Sequence, residues 1–147
     1  MRLSSLADYA VVMMTAAARA GEGARLNATV LAAKTGVPLP TAQKLVSRLA
    51  AAGLIESVRG TGGGFSLARA ADAITLADIV EAVEGPIALT TCVDEERHEC
   101  ALDGHCQVKP HWAVVNRAVR GALAGVTLAD LAQPPITAAP ARVEVHA

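Results

Sequence analysis

Ser57-Val58-Arg59-Gly60-Thr61-Gly62-Gly63-Gly64-Phe65 is the stretch on which the fold turns. Two short extended segments, residues 55–59 and 65–68, flank a tip with four glycines in the five positions 60–64. A tip without stiff side chains reads as the turn of a β-hairpin. So many glycines exceed the needs of a plain hairpin and suit a wing whose backbone lies against a duplex. Arg59 opens that tip, where an arginine can enter a narrow minor groove.

Upstream of the wing the pattern is helical. Ser5-Leu6-Ala7-Asp8 reads as a capping box, and Leu6, Tyr9 or Ala10, Met13 and Ala17 then recur at helical spacing. Gly21-Glu22-Gly23 ends that helix. Asn27 is a good cap for a short second helix over 28–34, which Gly36 stops. Pro40 opens a third helix running to 52, with Ala42, Leu45, Val46 and Leu49 on its apolar side and Gly53 at its end. Its other side carries Thr41, Gln43, Lys44, Ser47 and Arg48, groups that suit base edges and phosphates. Three helices followed by a glycine-tipped hairpin is the order of a winged helix-turn-helix, in which the third helix enters the major groove.

Downstream, Thr75 caps a fourth helix over 76–84 that Gly85-Pro86 breaks. Residues 90–106 read as an irregular loop holding all three cysteines. A helix over 112–123 follows, with Trp112, Val115, Val119 and Leu123 along one stripe, and Thr127 starts a last short helix to 132. Prolines and small residues from 133 onward predict a disordered tail. The expected organisation is a DNA-binding domain over 1–84, a cysteine loop over 85–110, helices over 111–132 and the tail over 133–147.

Charge divides along the same line. Residues 1–70 hold eight Lys or Arg against three acids, and residues 71–147 hold five against eleven, so a net charge of −1 conceals a basic first half. A basic head can face a polyanion while the acidic half stays clear of it. Phe65, Trp112 and Tyr9 are the only aromatics, too few for a surface that stacks single-stranded bases. No apolar run reaches the length of a membrane span, and 9–18 lacks the flanks of a signal peptide. The expected location is therefore the cytoplasm. No nucleophile triad, phosphate-cradling loop or paired-carboxylate pocket emerges, so the chain is read as a binding protein and not as an enzyme.

Cys92, Cys100 and Cys106 are spaced C-x7-C-x5-C. In a reducing compartment such a set favours metal or redox chemistry over disulfides. Three thiolates in one flexible segment repel unless a soft iron or zinc ion neutralises them. Burial as plain hydrophobes conflicts with the neighbouring Asp94, Glu95, Glu96, Arg97, His98 and Glu99. Zinc held by three cysteines and a histidine is the alternative to iron, although the close C-x₂₋₄-C knuckle is missing. His105, His98 and His111 are local candidates for a fourth ligand, and His146 reads as a solvated residue.

Met1-Arg2-Leu3-Ser4, Tyr9-Ala10-Val11, the run 45–49, Gly53-Leu54, the wing 58–65 and the cysteine loop together resemble the bacterial iron–sulfur regulators of the IscR, NsrR and RirA type. The likeness spans residues 1 to about 132. It implies a homodimeric winged-helix regulator that binds a two-fold-related double-stranded operator, with the helix over 111–123 as the dimer interface. It implies an iron–sulfur cluster, 2Fe-2S or 4Fe-4S, on Cys92, Cys100 and Cys106. Arg2, Thr41, Gln43, Lys44, Arg48, Arg59, Gly60, Thr61 and Gly62 are the expected DNA contacts. The nearest likeness is to regulators of iron–sulfur assembly (SUF-type) genes, with a nitric oxide- or iron-responsive repressor as the alternative. IscR-like members use a histidine three residues after the last cysteine, where this chain has Lys109. NsrR-type members use an aspartate from the partner's first helix, and Asp8 matches that position. In the recognition helix, Pro40, Thr41 and Gln43 replace the Ser, Tyr and Glu of IscR-like members, so the operator sequence does not transfer.

Overall fold

In the computed structural model, residues 1–60, 62–97 and 99–134 are described. Thr61, His98 and the tail from 135, with His146, lie outside the described residues. Helix α1 runs over Ser5–Arg19, α2 over Ala28–Thr35 and α3 over Leu39–Ala51. Strands β1 (Ile55–Val58) and β2 (Gly64–Leu67) form the wing, followed by a 3-10 turn at Ala71–Ala73. Then come α4 (Leu76–Glu84), α5 (Lys109–Ala124) and α6 (Leu128–Ala132). The result is a mainly helical winged helix-turn-helix, as the order of elements in the sequence predicts.

Local chemistry sets most boundaries. Asn27 accepts from the amide of Val30 at 2.8 Å, and Gly36 leaves α2 at φ 79°, a left-handed turn that glycine adopts without strain. Thr75 and Asp78 form a reciprocal capping box at the start of α4, and Thr127 and Asp130 repeat it at α6. Hydrogen bonds from Thr127 to the Asp130 carboxylate hold that carboxyl below its ordinary range. At α1 the expected capping box is corrected. Ser4, not Ser5, is the cap and accepts from Ala7 at 3.1 Å, so Asp8 falls one position beyond the reach of a box. Ser4 is the last extended residue, at φ −65° and ψ 155°, and its amide donates to Glu84, whereas Ser5 is already helical.

Ala10, Met13, Met14 and Ala17 of α1 pack with Leu31, Leu45, Leu49, Leu54, Ile79 and Leu128 into one core. Ala10 is fully buried whereas Tyr9 is exposed, which settles the choice the spacing leaves between them. Leu128 has no exposed surface, and Thr127 bridges to Thr75, so α6 returns to the head and packs on α1. Helix α5 begins three residues before the predicted start, because Pro110 sits in its first turn, where no intrahelical N–H is needed.

Candidate nucleic-acid interface and cysteine loop

The turn between α2 and α3 is fixed from both sides. Val37 is buried, and the Thr35 hydroxyl donates to the Leu31 carbonyl while accepting from the Val37 amide. Helix α3 then buries Ala42, Leu45 and Leu49 and turns Gln43, Lys44 and Ser47 to solvent. Thr41 is half-buried at the same end. The Ser47 hydroxyl donates back to the Gln43 carbonyl, which leaves Gln43 and Lys44 as the most available side chains of the reading face. Arg48, expected on DNA, turns the other way: its Nη1 donates to the Val83 carbonyl in the last turn of α4. The final carbonyls of a helix lack intrahelical donors and carry partial negative charge, so a cation packed over them satisfies both deficits.

In the wing, Val58 pairs with Gly64 and Ile55 with Leu67. Arg59, Gly60 and Gly62 are exposed at its end. Gly60 and Gly62 adopt φ 123° and 78°, which side chains resist. Gly64 answers to a different constraint, because Leu26 bridges to Phe65 and a Cβ on Gly64 would stand 2.2 Å from the Leu26 carbonyl oxygen. Much of the glycine signature therefore serves the hairpin itself. Arg2 is exposed and lines a cleft of about 510 Å³ beside Asp94 and Glu96 of the cysteine loop.

All three cysteines are free and half-buried. The Thr90 hydroxyl lies 3.0 Å from the Cys92 sulfur. Lys109 pairs with Asp103, and that hydrogen bond raises its pKa, with the charges of Cys92 and Cys100 adding to the effect. The thiols are donors of the kind that soft iron or zinc takes. Among the described residues, however, no three His, Cys, Asp or Glu side chains are gathered into a group that would hold a metal ion within one protomer. Asp8 is exposed on α1, released from the expected capping role, and His105 and His111 are exposed at and beyond the end of the loop.

Sequence reasoning missed the junction that hangs this loop on the head. Asn116 of α5 donates to the Ile87 carbonyl at 2.8 Å and accepts from the Leu89 amide at 2.9 Å. Glu81 of α4 accepts from Arg120 through both carboxylate oxygens and from the Ile87 amide. The available signal is Asn116 itself, a polar residue one turn after Trp112 on an otherwise apolar stripe.

A basic three-helix head with a reading helix and a wing defines a DNA-binding protein of the winged-helix class. The profile of the Rrf2 family, described as an iron-dependent transcriptional regulator, matches residues 3–134, and the chain belongs to that family. It is 33% identical to the HTH-type transcriptional regulator IscR of Erwinia tasmaniensis over 131 residues, 89% of this chain and 78% of that one. Among solved structures it resembles CymR, the global cysteine regulator of B. subtilis, with a TM-score of 0.72 and 30% identity, covering 90% of this chain and 96% of that one. It also resembles IscR of T. potens, with a TM-score of 0.68 and 27% identity over 89% and 85% of the two chains. The chain is an IscR-like transcriptional regulator. Among the described residues no helix is long and apolar enough to cross a membrane.

Proposed function

We propose that this regulator is a cytosolic homodimer whose operator binding is controlled by an iron–sulfur cluster on Cys92, Cys100 and Cys106, with Asp8 of the opposite protomer as the remaining ligand. The observation that carries the reading is the position of three free thiols on the segment that leads from α4 of the reading head into α5. When bound, a cluster supplies a centre sensitive to oxidants, nitric oxide and iron supply. The protein's own residues do the rest. Gln43 and Lys44 read the major groove with Thr41, while Arg59, Gly60, Thr61 and Gly62 follow the adjoining backbone. The genes controlled are those of SUF-type iron–sulfur assembly. The working units are a head over 1–84, a sensor loop over 85–110 and the helices over 111–132.

Among the described residues the loop's donors are not gathered into a metal-holding group, which favours one second reading: a regulator without a resident cluster that senses through its thiols. Iron and acid-labile sulfide assays with visible absorption of anaerobically isolated protein separate the two. The cluster reading requires both elements in proportion to protein; a colourless protein with zinc or no metal overturns it.

The exposed face of α5 supports the dimer. None of its 16 residues is buried, and Val114 and Val115 are 61% and 43% exposed. A helix this long that leaves two neighbouring valines in solvent is stabilised when a second copy covers them. Val115→Glu is expected to weaken the dimer at least about thirtyfold, since an unpaired charge in such an interface costs roughly 2 kcal/mol. Sedimentation across a dilution series measures it, and an unchanged dimer would place the interface elsewhere.

Phosphate contacts predict a steep dependence of DNA binding on salt. Lys44→Ala should flatten the slope of log K against log salt by about 0.9 for each phosphate that the lysine neutralises. Arg48→Ala should leave that slope unchanged, because its guanidinium faces α4. Equal slopes for the wild type and Lys44→Ala would remove Lys44 from the interface.

A further inference from the structure

Attachments from three sides meet at the last turn of α4, residues 81–84. From the reading helix, Arg48 donates to the Val83 carbonyl. From the start of the chain, the Ser4 amide donates to Glu84 at 3.2 Å. From α5, Arg120 donates to Glu81 at 2.8 and 2.9 Å. The root of the cysteine loop is bound to the same place, because the Ile87 amide donates to Glu81 at 3.3 Å while Asn116 holds the Ile87 carbonyl and the Leu89 amide. Cys92 lies three residues beyond Leu89.

We propose that Asn116 is a positioning residue that couples the cysteine loop to the reading helix through the last turn of α4. The proposal rests on the sensor reading above and names the part of the molecule that transmits the signal. Residues 87–89 are clamped on both sides, by Glu81 and by Asn116, so a displacement of the loop is not absorbed at its root. It passes into the turn that ends α4. That turn cannot yield locally, since Ile79, Val80 and Val83 are buried in a close-packed interior. Its free carbonyl at Val83 is the one Arg48 grips, and Arg48 lies little more than one helical turn beyond Gln43 and Lys44. Asn116 touches neither a thiol nor the outer face of α3, so its removal loosens the coupling and spares both ends.

Coupling of this kind is reciprocal: DNA held at α3 must alter the loop as much as the loop alters DNA affinity. The test uses the full chain and a duplex that the wild type selects from a randomised pool. The alkylation rate of Cys92 by iodoacetamide is followed by peptide mass spectrometry with and without that duplex. With iodoacetamide dilute enough that the loop opens and closes faster than it reacts, the rate follows the population of exposed Cys92, and in the wild type the duplex is expected to change it about fivefold. In Asn116→Ala the two rates converge, while affinity for the duplex stays within about threefold, a difference well under 1 kcal/mol by the affinity relation. Asn116→Asp keeps the acceptor for Leu89 but loses the donor to Ile87, and it gives the same convergence if the alanine variant melts early. A duplex effect that persists in both variants overturns the relay and leaves the sensor reading intact. A wild type whose Cys92 ignores the duplex overturns both.

Discussion

Gly64→Ala lowers the stability of the head by about 2–4 kcal/mol, the range in which a forced backbone shift in a core element falls. The added Cβ would stand 2.2 Å from the Leu26 carbonyl oxygen and 3.1 Å from its carbon, positions no backbone can share. That oxygen is the one that accepts from the Phe65 amide at 2.7 Å, and the Leu26 amide donates to Phe65 at 3.0 Å in return. The strand must move off Leu26, giving up two backbone hydrogen bonds at about 0.5–1.5 kcal/mol each. It also disturbs Leu26 and Phe65, which are only 5% and 6% exposed. The neighbouring glycines are internal controls. At Gly62, with φ 78°, alanine costs about 1–2 kcal/mol from the left-handed backbone alone. At Gly63 the nearest atom is 3.4 Å away, and alanine there is expected within about 0.5 kcal/mol of wild type. Thermal melts of the three variants check the order, with a fall of roughly 5–15 °C expected for Gly64→Ala. A Gly64→Ala melt indistinguishable from that of Gly63→Ala would mean that the bridge to Leu26 does not hold the wing.

The same glycine marks where sequence reading stops. The hairpin is legible because its tip and flanking strands are contiguous, and α2 and α4 are legible because Asn27 and Thr75 announce their starts within one turn. The bridge from Leu26 to Phe65 is a single residue pair 39 positions apart, and one residue carries no periodicity. The reason for Gly64 is therefore invisible until the fold brings Leu26 to it. Arg48 has a similarly distant partner. By spacing it belongs with Lys44 on a polar face, yet the carbonyl that claims it lies at Val83, outside the domain's local pattern. The site divides along the same line. Three cysteines in one loop are visible as a set from their proximity in sequence. What attaches that loop to the head is a set of contacts between residues 81, 87, 89, 116 and 120, formed only when α4 and α5 pack. Ser4 against Ser5 shows the smallest version of the limit, because adjacent hydroxyls offer equivalent caps in sequence and only the fold shows which of them is extended.

Cys92→Ser, Cys100→Ser and Cys106→Ser are each expected to lower bound iron at least about tenfold, since even removal of groups that merely orient metal ligands costs that much. The circular-dichroism melt should change little, because the half-buried thiols lie outside the core. The stronger experiment asks which protomer supplies Asp8. Its carboxylate is exposed and free of a capping role, whereas within one protomer the described donors form no metal-holding group. An exposed, uncommitted carboxylate is what a ligand set closing across the dimer requires, while the three cysteines of one chain would be drawn together by the cluster itself. Co-express Asp8→Ala with a chain in which all three cysteines are serine, and isolate the mixed dimer. If Asp8 acts across the interface, the chain lacking cysteines lends its aspartate to the intact thiols of the other, and a single complete site survives. If Asp8 acts within its own chain, neither site is complete, and iron per intact set of three thiols matches that of the Asp8→Ala homodimer. If Asp8 is not a ligand at all, the Asp8→Ala homodimer holds iron as tightly as wild type. The rate at which a chelator strips iron from each dimer distinguishes the three, and only slow stripping of the mixed dimer beside fast stripping of the Asp8→Ala homodimer supports the shared site.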